Sequence, residues 1–126
     1  MSVQDTLFCY IRVSSDRQEK DGSSLDVQHD MGIKVSKKLN MKPDVTTYNE
    51  GSRSSIIHYR EKLEQLKEDI KSNKIKYIWV QDRSRLFRDM VEGVTFRSDY
   101  LERYKVILYE GVTPNRIEFN SEDERL

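Results

Sequence analysis

Apolar residues along the chain gather in short groups, and the spacing within each group sets the element it predicts. TLFCYIRV at 6–13 is rich in β-branched and aromatic residues and stops at a Ser-Ser-Asp cluster, which predicts a buried strand followed by a loop. The polar stretch SSDRQEKDGSS comes next. Ser23 or Ser24 is then placed to cap a helix carrying Leu25, Met31, Ile33, Val35 and Leu39, which Asn40 and Pro43 end. VTTY at 45–48 predicts a second short strand, and the aperiodic NEGSRSSIIH after it reads as a loop. From Tyr59, the residues Tyr59, Leu63, Leu66 and Ile70 recur at helical spacing, with Glu and Lys on the other face. KYIWVQ at 76–81 predicts a third strand and DRSR a turn. Met90, Val91, Val94, Tyr100, Leu101 and Tyr104 then fit one long helix leading into a fourth strand, VILY at 106–109. A last strand-like piece surrounds Ile117 and Phe119, ahead of an acidic, cap-like SEDE.

Strand and helix alternate throughout, which predicts an α/β fold: a mostly parallel sheet of four to five strands with helices on its faces. At 126 residues, with no repeat or linker, the chain is expected to form one domain. Charged residues make up 35%, but 22 Lys and Arg balance 22 Asp and Glu, so a globally basic nucleic-acid binder is excluded while a local basic site is not. One cysteine and two histidines offer neither an internal disulfide nor a zinc cluster. With no long apolar run or leader-like N-terminus, a cytoplasmic protein with no membrane partner is expected.

In parallel α/β sheets the ligand crevice lies beyond the carboxyl ends of the strands. The first strand leads to Arg12 and Ser14, the second to Arg53, Ser54 and Arg60, and the third to Arg83, Ser84, Arg85 and Arg88. Six of the chain's eleven arginines therefore fall on one rim. Guanidinium groups stay charged and grip phosphate oxygens through paired hydrogen bonds, so such a cluster suits an anion. With a helix starting near Ser84, Arg85 and Arg88 would share one face. Any one of these arginines alone reads as a solvated charge or a partner for Glu50, Asp82 or Asp89; convergence from three strand ends argues otherwise. Ser14 by itself reads as a turn or cap residue. His29 in a helix and His58 in a loop give no Ser-His-Asp arrangement, and Trp79 and Cys9 read as core. Taken alone, the residues lead to an anion-binding α/β domain.

Tyr10-Ile-Arg12-Val-Ser14-Ser resembles the Y-x-R-V-S motif that opens the catalytic domain of serine site-specific recombinases, the resolvase and invertase family. Gln18 and Gln28 fit the positions that follow. Arg60 is similar to the arginine opening the family's next helix, with Ser54 six residues earlier at a position often filled by serine. Asp82-Arg83-Ser84-Arg85-Leu86-Phe87-Arg88-Asp89 resembles the segment after the third strand that supplies two more arginines. Ser84 stands where small resolvases carry aspartate, and Phe87 where a small residue is common. The gap between Ser14 and Leu25, with its E-K-D-G insertion, is similar to large serine integrases and transposon recombinases.

The resemblance implies a three-layer resolvase-like fold and a DNA strand-transferase. Residues 1–126 are expected to be the catalytic domain, without the C-terminal dimerisation helix and DNA-binding domains. Ser14 would attack a phosphodiester and form a 5′-phosphoserine link, with Arg12, Arg60, Arg85 and Arg88 stabilising the transferred group. Tyr10, Gln18, Gln28, Ser54 and Ser84 would position serine and phosphate. No metal and no small-molecule cofactor are implied. The partners would be double-stranded DNA and, in the full-length protein, further copies in a dimer or tetramer. Two alternatives rest on the residues alone: a metal-dependent nuclease built on Asp82, Glu50 and Asp89, and a non-catalytic phosphate- or protein-binding domain.

Overall fold

Alternate residues of the first strand enter two separate cores, so both faces of the sheet are covered. A computed structural model describes residues 4–12, 24–50, 60–113 and 115–116. Leu7, Cys9 and Ile11 of β1 (Thr6–Ile11) pack with Trp79 against α1 (Leu25–Lys38). Tyr10 points the other way, with Ile78 and Val80, toward α2 (Glu61–Lys71). Burial on both faces explains why these strands read as continuous apolar runs.

The sheet runs β2 (Lys42–Asn49), β1, β3 (Tyr77–Val80), β4 (Ile107–Glu110), β5 (Asn115–Arg116). The first four strands are parallel, and β5 joins antiparallel through two residues. The result is the expected three-layer α/β fold with a mostly parallel sheet.

Ser24 caps α1, its Oγ accepting from the Val27 N–H at 3.3 Å, and Asn40 ends the helix turn in the left-handed region at φ 57°. Strand β2 begins earlier than its apolar residues suggest and includes Pro43, tolerated because β2 is an edge strand. Its pairing with β1 shifts between Phe8 and Tyr10, where Asp44 accepts from the Thr46 and Thr47 main chain at 3.2 and 3.0 Å. Val45 and Tyr48, three apart on the strand, enter opposite cores.

The helix expected from Met90 to Tyr104 forms without a break from Met90 to Glu102, but it is not of one kind. An α-helix, α3 (Met90–Phe96), passes into a π-helical stretch, Arg97–Glu102. Met90, Val91 and Val94 face solvent at 82, 74 and 47% exposure, while Phe96 and Leu101 are buried. Those two lie five apart, and the wider π turn, whose hydrogen bonds close over five residues, brings them toward one face. Phe87 packs on Phe96 with ring centroids 5.6 Å apart, and covers Gly93. The expected strand around Ile117 and Phe119 lies outside the described residues. Among the described residues, no helix is long and apolar enough to cross a membrane.

Candidate functional site

The strand order places β1 between β2 and β3, so connections leave it in opposite directions and a crevice opens at its carboxyl end beside β3. Arg12 closes β1 there. Its Nε donates to the Arg85 carbonyl at 2.9 Å and its Nη2 to the Ser84 carbonyl at 2.6 Å. Arg85 answers through Nη1, 3.3 Å from the Arg12 carbonyl. Gln28, fully buried on α1, brackets the Arg12 main chain from the other side.

Arg83–Arg85 form a 3-10 turn capped by Asp82, whose Oδ1 accepts from the Ser84 N–H at 3.0 Å and from the Ser84 hydroxyl. Arg60, the residue before α2, donates through Nη1 to the Leu86 carbonyl at 2.8 Å. Three successive carbonyls, 84 to 86, thus collect the guanidiniums of Arg12 and Arg60. Carbonyls at the end of a helical turn carry partial negative charge, which favours cations there.

Arg60 is 8% exposed and also meets Glu92, Nη2 to Oε2 at 2.6 Å. Arg85 is equally buried, with its Nε 3.6 Å from Asp82. Arg88 is far more open and lies 3.6 Å from Glu92 through its Nε. Arg85 and Arg88 do not share a helical face. The first sits in the 3-10 turn, the second precedes the Asp89 cap of α3.

Burial lowers the pKa of Arg12, with Arg60 and Arg85 pulling the same way and Tyr10 and Glu50 opposing. Tyr10 donates from its hydroxyl to Glu50 Oε2 at 2.7 Å, and burial followed by the Glu50 charge raises its pKa. The same Glu50 oxygen accepts from the Leu63 N–H at 2.9 Å. It thereby caps α2, which has no cap from the Arg60 side chain. A carboxylate at a helix N-terminus is also favoured by the dipole.

Of the residues expected in the site, the structure joins Arg12, Gln28, Arg60, Ser84 and Arg85 into one hydrogen-bonded set, with Arg88 at its edge through Glu92 and Tyr10 bonded separately to Glu50. Arg83 is held away by Glu110, its N–H and Nε at 2.9 and 3.3 Å. Ser14, Gln18, Arg53 and Ser54 lie outside the described residues. Sequence reasoning treated Glu50 as a partner for a rim arginine or as a carboxylate of a nuclease site, not as a helix cap, and missed Glu92. The second had a signal, since Asp89-Met-Val-Glu92 has the spacing of a capping box. Among the described residues, no group of three His, Cys, Asp or Glu side chains is placed to hold a metal ion.

A solved structure described as the N-terminal catalytic domain of TP901-1 integrase shares the fold, with a TM-score of 0.71 and 21% identity over 84% of this chain and 77% of that one. No curated protein matches the chain. The sequence itself matches the resolvase N-terminal domain family over residues 7–124, nearly its whole length. With its parallel sheet and the arginines gathered at the β1/β3 crevice, the chain belongs to the resolvase N-terminal domain family.

Proposed function

We propose that this chain is the catalytic domain of a serine recombinase that cuts and rejoins double-stranded DNA without a metal ion or small-molecule cofactor, in the cytoplasm, as part of a dimer or tetramer. Ser14 is the nucleophile. Its Oγ bonds to the phosphorus, the P–O3′ bond breaks, and the hydroxyl proton ends on the departing 3′ oxygen. The phosphate remains on Ser14 as a 5′-phosphoserine, so the bond energy is kept and the reverse reaction reseals a new pair of strands.

The observation that carries this reading is the gathering of Arg12, Arg60 and Arg85 around the turn at 84–86, with Arg12 two residues before Ser14. Phosphoryl transfer places charge on the equatorial oxygens, and fixed donors aimed at them lower the barrier. Losing one such donor is expected to slow the chemical step about a hundredfold to a thousandfold. Tyr10, Gln18, Gln28, Ser54 and Ser84 shape the approach of serine and phosphate, and Arg88 supplies an outer donor. A nuclease site would need converging carboxylates. Here Glu50 holds Tyr10 and Leu63, Asp82 caps the 3-10 turn, and Asp89 caps α3.

The test fuses the chain to a DNA-binding domain of known site and incubates it in EDTA with nicked DNA carrying that site. A covalent protein–DNA adduct that maps to Ser14, and disappears in Ser14→Ala, is the expected result. A folded, DNA-bound protein that forms no adduct would point to a binding domain. Cleavage that needs added magnesium would point to a nuclease.

A further inference from the structure

Glu92 stands in the first turn of α3, and its carboxylate reaches in two directions. Oε1 accepts from the Arg88 main-chain N–H at 2.5 Å, while Oε2 meets Arg60 Nη2 at 2.6 Å and lies 3.6 Å from Arg88 Nε. The first contact belongs to helix capping. Asp89 accepts from the Glu92 N–H at 2.8 Å, and a glutamate three residues after the cap commonly reaches back over the helix start.

Capping does not account for the second contact. Arg60 comes from another element, 32 residues earlier, and is one of the most buried charges described. Arg12 already feels the repulsion of Arg60 and Arg85. A buried guanidinium among like charges needs an opposite charge close by, or it turns toward water. Glu92, half-buried itself, supplies that charge and at the same time fixes the start of α3 beside Arg88.

Resting on the phosphoryl-transfer reading above, we propose that Glu92 is a positioning residue that sets the spacing of Arg60 and Arg88 before DNA arrives. Donors already in place need no reorganisation when charge develops on the phosphate. The negative charge is essential to this role, whereas capping needs only an oxygen. Glu92→Gln separates the two, because its amide oxygen still accepts from the Arg88 N–H.

Two readouts test the assignment on the fusion protein used for the adduct assay. In single turnover, Glu92→Gln is expected to slow formation of the Ser14 adduct by about tenfold to a hundredfold, the range for one charge-assisted hydrogen bond lost in the transition state. DNA affinity is expected to change by less than about threefold, since the phosphate contacts persist. Adding Glu92→Gln to Arg60→Gln should cost little more, because the two residues act together. Additive losses, a faster reaction, or a rate loss matched by affinity would overturn the proposal. Independently of catalysis, NMR of the arginine side chains is expected to show slow rotation of the Arg60 guanidinium that Glu92→Gln releases. Should wild type form no Ser14 adduct, the recombinase reading fails and this second readout judges Glu92 alone: an Arg60 guanidinium equally free in both proteins overturns the positioning role.

Discussion

Gln28 treats the main chain of Arg12 as a neighbouring strand would: its Oε1 accepts from the Arg12 N–H at 3.3 Å and its Nε2 donates to the Arg12 carbonyl at 3.0 Å. A helix side chain thus extends the sheet by one residue, two positions before Ser14 in the sequence. Replacing it with leucine keeps the bulk and removes both bonds, leaving the Arg12 amide short of a partner beside a buried, apolar group. Gln28→Leu is expected to destabilise the fold by about 2–4 kcal/mol, two hydrogen bonds and a desolvation penalty. Urea unfolding measures it; a loss under about 1 kcal/mol would show that the bracket is dispensable.

Gly32 faces Cys9 across the α1/β1 contact. A Cβ there would stand 2.9 Å from the Cys9 sulfur and 3.3 Å from Val45 Cγ1. Helix propensity favours alanine over glycine by about 1 kcal/mol, but overpacking a buried site costs about 1–3 kcal/mol, so the clash should win. Gly32→Ala is expected to be destabilising alone and neutral or stabilising with Cys9→Ala, which removes the sulfur. A double-mutant cycle in urea reads the coupling.

Burial, with a smaller contribution from Asp44, pushes the Cys9 thiol up to about 12 from its ordinary 9.0. Burial likewise raises Tyr10 and Tyr48, helped by Glu50 and Asp69 respectively. All three keep their protons in the native state at pH values where the unfolded chain releases them. Stability is therefore intact below about pH 9 and falls as pH rises toward 12, with Cys9 alone contributing a slope of up to about 1.4 kcal/mol per pH unit. Urea midpoints across that range check it. Thiol reagents should modify Cys9 only as fast as the protein opens, and rapid labelling of the native state would contradict the burial.

A neutral protein with a clustered cationic rim should bind DNA with a salt dependence set by the rim rather than by net charge. Each phosphate contact contributes about −0.9 to the slope of log K against log salt on duplex DNA. Arg88, the most open arginine of the set, is expected on replacement by glutamine to reduce that slope by about one unit with little effect on folding. Fluorescence anisotropy titrations over a salt series give the answer. An unchanged slope would remove Arg88 from the DNA contacts.

The parts of this fold written in local pattern were legible: β1, β3 and β4 as apolar runs, α2 from the spacing of Leu63, Leu66 and Ile70, and α1 from its Ser24 cap. The helix from Met90 was legible as a helix, but its change of pitch and its buried face were not. Its most regular apolar residues, Met90, Val91 and Val94, face solvent, and the buried pair Phe96 and Leu101 follows the period of a wider turn. In the site, the arginines stood out because they follow strands. Glu50 and Glu92 did not, since a carboxylate's task depends on which guanidinium or helix end the tertiary fold brings to it, and those partners lie 13 and 40 residues from Glu50 and 32 from Glu92.

The clasp of Arg12 on the Ser84 and Arg85 carbonyls spans 72 and 73 residues. It needs β3 beside β1, with α1, β2 and α2 lying between them in the sequence. Non-local pairings of this kind carry a large loop-closure cost and assemble late. A nascent or partly opened chain therefore carries every arginine of the cluster without the cluster. The arginine cluster is thus a property of the completed sheet, absent from any molecule in which β1 and β3 are not yet paired.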